Sequence, residues 1–549
     1  VPKTPSAREL LAAAGIFTLA SLVFTFPLVT ALGQANRLDS PDALLNGFIV
    51  SWNLEQLRND PLHLFDANIF FPEKGALAYS ENLLTASLIA APVALVSDNP
   101  ILLVNIVLLA AFVFSGLAAF ALAFELTHDR LAAYLAGILF TFAPYRFAHL
   151  PHLQLQLAFG VPLSFVLVRW LVAGRGRLYA TVGFALAALL TFGSSVYYTV
   201  YVASAVPIVA LTELYWVPQE KRRRALGQLL VGGVLAVVLV MPLVLPYLAK
   251  LQSGRVRSLQ TAAEFSAGLH EYLSSFSWLH AFLPKANEPL FPGFVALTLA
   301  ATALLTAGRE RERKWCWVAV GLLGVALSLG PSLGLFTFLY NVAAPYRAMR
   351  VPSRAGVLFL LAVALLAAIG LTRVKRPVLR WALVIVAALE CLVAPLVFQM
   401  EAPSYPAIYR HVETLPEPGA MVELPLPPPE RFQDNAIFVY RSIFHHRQIV
   451  NGYSGFAPPS YGLAYRQLMR RDFLRGLRAM ESKGVRYVLA HEGRLGPRMK
   501  RQVHKAVDSG LLELVAEESS DRLYAITVRG GSLAPEASRS RAGSAHAAP

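Results

Sequence analysis

The chain has 549 residues, of which 56% are hydrophobic and 15% charged, with a mean hydropathy of +0.51. A soluble protein of this length coats its exterior with roughly a quarter charged residues, so an ordinary soluble enzyme is excluded. The net charge of +15 arrives in short basic runs between long apolar blocks, the pattern of cytoplasmic loops in a polytopic membrane protein rather than of a nucleic-acid binder.

A hydrocarbon core of about 30 Å needs about 20 apolar residues per helix. Eleven blocks approach that size, at 10–32, 101–126, 131–145, 153–173, 178–193, 196–216, 225–246, 292–307, 316–338, 355–371 and 378–398. The first is longer than the apolar stretch of a signal peptide, which favours a retained helix. With this count six basic loops fall on one side: Lys3/Arg8, His128/Arg130, Arg175/Arg177, Lys221–Arg224, Arg309–Lys314 and Arg373–Arg376. That side is predicted to be cytoplasmic, with the N-terminus inside and the chain beyond the last helix outside.

The first exterior loop, 33–100, is long and partly apolar. Its block Leu83–Val96 is too short to span, and crossing there would reverse every later basic loop, so an interfacial helix is predicted. Glu125, Glu213 and Glu390 fall near helix ends, where pairing between helices is the expected role. Cys316 and Cys391 lie far apart in apolar blocks and imply no disulfide framework.

Residues 1–399 carry 48 charged residues and the final 150 carry 35, a soluble density. The predicted organisation is therefore a membrane unit over 1–399, an exterior α/β domain over 400–530, and a disordered Ser/Ala/Gly-rich tail over 531–549. Strand-like runs are expected at Ala420–Leu424, Ile437–Ile443 and Val485–Ala490. Helices are expected near Tyr461–Lys483 and Arg498–Gly510, with a closing hairpin from Leu511–Ala516 and Arg522–Val528 around Ser519-Ser520-Asp521.

Several short motifs stand out. They are Asp42-Ala-Leu-Leu-Asn46 with Trp52, Phe65-Asp66-Ala-Asn68-Ile-Phe-Phe-Pro72, Ala78-Tyr-Ser-Glu81, Ala143-Pro-Tyr-Arg146 through His149, His152 and Gln154, Arg350-Val-Pro-Ser-Arg354, and Asn451-Gly-Tyr-Ser-Gly455. With the topology above, they resemble the GT-C superfamily of membrane glycosyltransferases, close to its bacterial YfhO-like and aminoarabinose-transferase-like groups. The resemblance implies an all-α polytopic membrane bundle of about eleven transmembrane helices with an exterior α/β domain. It also implies transfer of a sugar from a polyprenyl-phosphate carrier to a glycan, lipid or protein acceptor outside the bacterial inner membrane. A transporter or flippase of envelope lipids and a non-catalytic membrane scaffold are the alternatives.

Asp42 stands where the superfamily keeps a loop-one aspartate that takes the acceptor's proton, and it equally suits a helix N-cap. Asp39 is a second candidate for the base. Arg347, Arg350 and Arg354 are basic residues on the predicted exterior side, and guanidinium forks suit the oxygens of a donor phosphate. Asp66 and Glu81 are candidates to position a sugar or a divalent cation. His149, His152 and Gln154 are candidates for sugar hydrogen bonds, His149 and His152 being spaced to share a helical face. Tyr145, Arg146, Tyr197 and Tyr198 read as interfacial anchors. No phosphate-cradling glycine loop is present, so no nucleotide cofactor is expected.

Overall fold

The computed structural model describes residues 4–252, 256–306, 313–416, 418–470 and 472–527. The expected tail over 531–549 lies outside the described residues. The chain divides into two compact units. One holds residues up to 67 together with 75–403, and the other holds Asn68–Lys74 together with the chain from Ser404 onward.

The larger unit is helical. Among the described residues, eight helices are long and apolar enough to cross a membrane: Ala7–Phe24, Pro100–Thr127, Arg130–Ala148, Leu153–Ala173, Arg177–Ser194, Val196–Tyr215, Gln219–Gln252 and Pro352–Leu371. Their starts are written locally. Ser6 and Glu9 form a capping box, and Asn99, Asp129 and Ser195 each accept a backbone N–H of the turn they open. The remaining three expected blocks yield shorter helices, Phe294–Leu305, Lys314–Ser328 and Pro377–Glu390. The middle one stops before Gly330-Pro331, because proline cannot continue a helix. The helix Leu84–Ala94 has 11 residues, about 16 Å of rise and well short of a bilayer core.

Packing between these helices relies on small residues and paired charges. Gly370 lies so close to the neighbouring Phe294–Leu305 helix that a Cβ would stand 1.9 Å from the Leu299 carbonyl oxygen, the close backbone approach that glycine permits. Arg169, 4% exposed, pairs with Glu213 and lies 3.7 Å from Glu125, which also accepts from the Trp170 indole. Glu390 accepts the N–H groups of Phe294 and Val295 at 3.0 and 2.9 Å, with His280 beside it. These acids thus join helices, as expected of buried charges that must be paired. Both cysteines are buried and free.

The smaller unit is an α/β fold on a four-stranded sheet. Its strands are β1 (Ala420–Leu424), β2 (Val485–His491), β3 (Leu512–Glu518) and β4 (Asp521–Ile526), in the order β1-β2-β4-β3. β1 and β2 are parallel, and the other two pairings are antiparallel. The hairpin turns at Ser519, whose φ is +56°. The expected long helix is interrupted, with helical segments at Pro459–Tyr465 and Phe473–Glu481, and Pro497–Asp508 forms the next helix.

Two expectations fail here. The run Ile437–Ile443 lies in a helix, Ala436–His445, not a strand. Its aromatic and β-branched composition suggests extension, yet Phe438, Val439, Ser442 and His445 are buried at helical spacing, and burial decides over propensity. The segment 68–74, read as loop of the membrane unit, folds into the smaller unit instead. Phe70 and Phe71 donate backbone hydrogen bonds to Asn451 and Ile449 at 3.0 and 2.9 Å, and Ile449 donates to Asn68. Residues 448–450 in turn bond Met421 of β1. The open edge of the sheet is thereby covered. Gly452 is required by this arrangement, since a Cβ there would stand 2.4 Å from the Phe70 ring.

Candidate functional site

In the larger unit the polar groups singled out from sequence gather around the first turns of three helices. The helix Pro41–Asn59 has Ser40 at its N-cap and Asp42 in its first turn. A carboxylate is favoured there by the helix dipole, but Asp42 does not cap. Its Oδ2 lies 3.1 Å from His152 Nε2, with the Asp42 side chain 38% exposed. Asn46, one turn on, donates to the Pro151 carbonyl at 2.8 Å and to Gln154 Oε1 at 3.5 Å. These bonds fix the helix start against the turn that carries both histidines.

That turn is shaped by Arg146, which is buried. Its guanidinium donates to Oε1 and the carbonyl of Gln156 at 3.2 and 2.5 Å, and the Gln156 amide returns bonds to the carbonyls of Arg146 and His149. Tyr145 is likewise buried, so neither residue is the interfacial anchor expected from sequence. The clamp brings His149 and His152 to a ring separation of 5.3 Å. His149 Nε2 lies 3.0 Å from Glu288, a loop acid that sequence reasoning passed over.

The third element is the helix Val196–Tyr215. Tyr198 donates to the Leu155 carbonyl at 3.1 Å, and Tyr201 to the Val351 carbonyl at 3.3 Å. The Arg350 N–H donates to the Tyr197 hydroxyl at 2.9 Å. One helical face therefore docks both the histidine turn and the Arg350–Arg354 segment. Arg354 is 8% exposed, and its guanidinium lies 4.7 Å over the Tyr197 ring. It has no hydrogen-bond or ion-pair partner among the described residues, although Glu81 and Glu288 lie within electrostatic reach. The buried Tyr145 hydroxyl and His152 Nδ1 also lack partners.

Electrostatics distinguish these groups. Burial raises the Glu81 carboxyl, against the opposing pull of the Val196 N–H, which it accepts at 2.7 Å, and of the Arg354 charge. Burial also works to raise Glu288, but the His149 hydrogen bond, with the charges of His149 and Arg354, outweighs it and holds the carboxyl below its usual value. Burial lowers His152 below the ordinary imidazole value despite the Asp42 hydrogen bond. Burial thus favours the neutral form of His152, in which an Nε2–H donates to the carboxylate.

Other sequence candidates stand apart from this cluster. Asp39 pairs locally with Arg37 at 3.3 Å on the surface. Asp66 accepts the Gly75 N–H at 2.6 Å, closing the chain at the two ends of the 68–74 excursion. Arg347 is exposed and spends its guanidinium on the Tyr340 and Asn341 carbonyls, at 3.1 and 2.9 Å, at the end of the helix Leu335–Val342. The Arg350 guanidinium lies over Phe265 at 4.9 Å. No group of three or more His, Cys, Asp or Glu among the described residues could hold a metal ion. Glu288 shares its exterior loop with other charged residues such as Glu264, Glu271 and Lys285, so neither its role nor its pairing with His149 stood out in the sequence.

The smaller unit holds a second polar cluster. Glu423 of β1, fully buried, accepts from the Tyr409 hydroxyl and lies 3.0 Å from His491 Nε2, while His491 Nδ1 lies 3.0 Å from Asp521. Burial acts to lower His491, but the hydrogen bonds to Asp521 and Glu423 win and raise it to about 9. Asn451 locks the Glu423 backbone from both sides. The Asn451-Gly-Tyr-Ser-Gly455 motif thus serves the packing of this unit.

No protein-family model matches the chain, and no curated protein matches it.

Proposed function

We propose that this chain is a bacterial inner-membrane glycosyltransferase of the GT-C type, moving a sugar from a polyprenyl-phosphate donor to an envelope acceptor on the exterior face. The observation that carries this reading is Arg354, a buried guanidinium without an acceptor. Five fixed N–H donors in a desolvated setting call for an anionic oxygen ligand, and a phosphate matches their fork. Asp42, paired with His152 and 38% exposed, supplies the carboxylate of the reading.

In the proposed reaction the acceptor oxygen bonds to the anomeric carbon as the bond from that carbon to the phosphate oxygen breaks. The bonding pair leaves on the polyprenyl phosphate, where Arg354 offsets its charge, and the hydroxyl proton passes to Asp42. Of the three expected arginines, Arg354 carries the phosphate role, with Arg350 adjacent and Arg347 engaged elsewhere. The reading counts the three shorter helices as crossings too, giving eleven, with the N-terminus cytoplasmic and the smaller unit exterior.

The test is transfer of label from a panel of polyprenyl-phosphate sugars to envelope acceptors by the purified protein. Covalent product that disappears in D42N and R354A supports the reading. Lipid movement without any covalent product would replace it with the flippase alternative.

A further inference from the structure

Resting on that reading, we propose that His152 is the positioning residue of Asp42: its neutral imidazole aims the carboxylate at the acceptor hydroxyl and, on gaining a proton, silences it. The geometry is specific. His152 Nε2 stands 3.1 Å from Asp42 Oδ2, and its side chain is 24% exposed while that of Asp42 is 38% exposed. The carboxylate is the more exposed of the two, and the imidazole the more enclosed. The ring is held by its own turn, since the His152 N–H donates to the His149 carbonyl at 2.9 Å and the His152 carbonyl accepts from Leu155. Asn46 pins the same turn to the helix that carries Asp42.

The charged groups facing His152 come from three directions. Asp42 lies on the helix Pro41–Asn59, His149 with its partner Glu288 on the same turn, and Arg354 on the docked segment. Arg354 and burial disfavour a charged imidazole, and Asp42 favours it. With His152 neutral, Nε2–H makes one hydrogen bond to the Asp42 carboxylate and orients it. With His152 protonated, the two become an ion pair, and the carboxylate loses affinity for a substrate proton. The acid limb of the transfer reaction therefore belongs to His152 rather than to a lone carboxylate. Asp42 remains the catalytic residue, and His152 acts through it.

Two measurements on the full-length protein in detergent decide this. The first is the pH dependence of diethyl pyrocarbonate modification at His152, read by peptide mass spectrometry, which follows the neutral imidazole without needing any substrate. D42N is expected to move the midpoint to lower pH, and D42E, which keeps the charge, to hold it. An unchanged midpoint in D42N overturns the pair. The second is the pH profile of sugar transfer. H152Q, which keeps a donor that does not titrate, is expected to retain kcat within about tenfold and to lose the acid limb, whereas H152A costs about a hundredfold, the scale of a misplaced reacting group. A wild-type acid limb in H152Q overturns the proposal, because a merely structural histidine would leave that limb in place. Absence of transfer by the unaltered protein overturns the proposed function and leaves the modification midpoint to judge the pair.

Discussion

The two units each place imidazoles against carboxylates, and they do so to different ends. In the smaller unit both ring nitrogens of His491 are engaged, by Glu423 and Asp521, and every member of that triad is buried or nearly so. In the larger unit His152 meets Asp42 through one nitrogen while its other nitrogen has no partner, Asp42 is partly exposed, and Arg354 stands within electrostatic reach with no hydrogen bond to its guanidinium among the described residues. Burying polar groups costs free energy unless they are paired. The smaller unit's cluster returns most of that cost as packing specificity, with one buried Glu423 oxygen left without a partner. The contrast, rather than the residue types, separates a structural centre from a candidate site.

The largest expected effect that would break this contrast is in activity. D42N should lower transfer by about a hundredfold to ten-thousandfold, the span of a lost general base, measured with labelled lipid-linked sugar. Transfer at the unaltered rate would remove Asp42 from the site. Next, E423A should destabilise the smaller unit by about 3–5 kcal/mol, because it leaves the His491 charge buried without one of its partners. Faster hydrogen exchange of the β2 amides checks this, with the larger unit's helices unaffected.

R354K sharpens the comparison from the other side. Lysine keeps the charge but not the planar fork, so binding of polyprenyl phosphate should weaken by about tenfold or more while the fold stands; equilibrium binding in detergent reads it.

Stability of the smaller unit should also depend on pH from both directions. His491 is raised to about 9, so its contribution is fully present below the unfolded value near 6.5 and is lost as pH rises through about 9. His445 is lowered to about 4, chiefly by burial, so its contribution is present above about 6.5 and is lost as pH falls through about 4. Exchange protection of β1 and β2 should therefore peak near neutrality, and H491Q should remove the alkaline loss. The smallest effect belongs to R347A. Its guanidinium meets only carbonyls at an exposed helix end, so less than about 1 kcal/mol of stability is at stake, and donor binding should change far less than in R354K.

Much of this was legible in the residues themselves. Apolar block length and the basic runs found the eight long helices, because crossing a bilayer is a demand on consecutive residues. Short apolar runs bounded by turn residues found β1 and β2, which are buried almost throughout, and the two runs around Ser519-Ser520-Asp521 found the closing hairpin. The candidate site was half legible: Asp42, His149, His152, Glu81 and Arg354 were named from motif and charge alone. The helix at Ala436–His445 was not legible, since its composition suits a strand and only its neighbours make helical burial pay. The transfer of 68–74 to the other unit was equally hidden, being decided by hydrogen bonds to residues nearly four hundred positions away.

By itself, then, the sequence determined where the apolar helices lie along the chain, where the charged region begins, and which polar residues are available for chemistry, but not how many of those helices are long enough to cross a bilayer. These are properties of composition and period along the chain. The tertiary structure alone decided that Asp42 faces His152, that Glu288 joins His149, that Arg354 is buried without an acceptor while Arg347 is not, and that Asn451 serves packing. Those outcomes depend on which helix turns dock against one another, and no local pattern encodes a contact between residues a hundred or more positions apart.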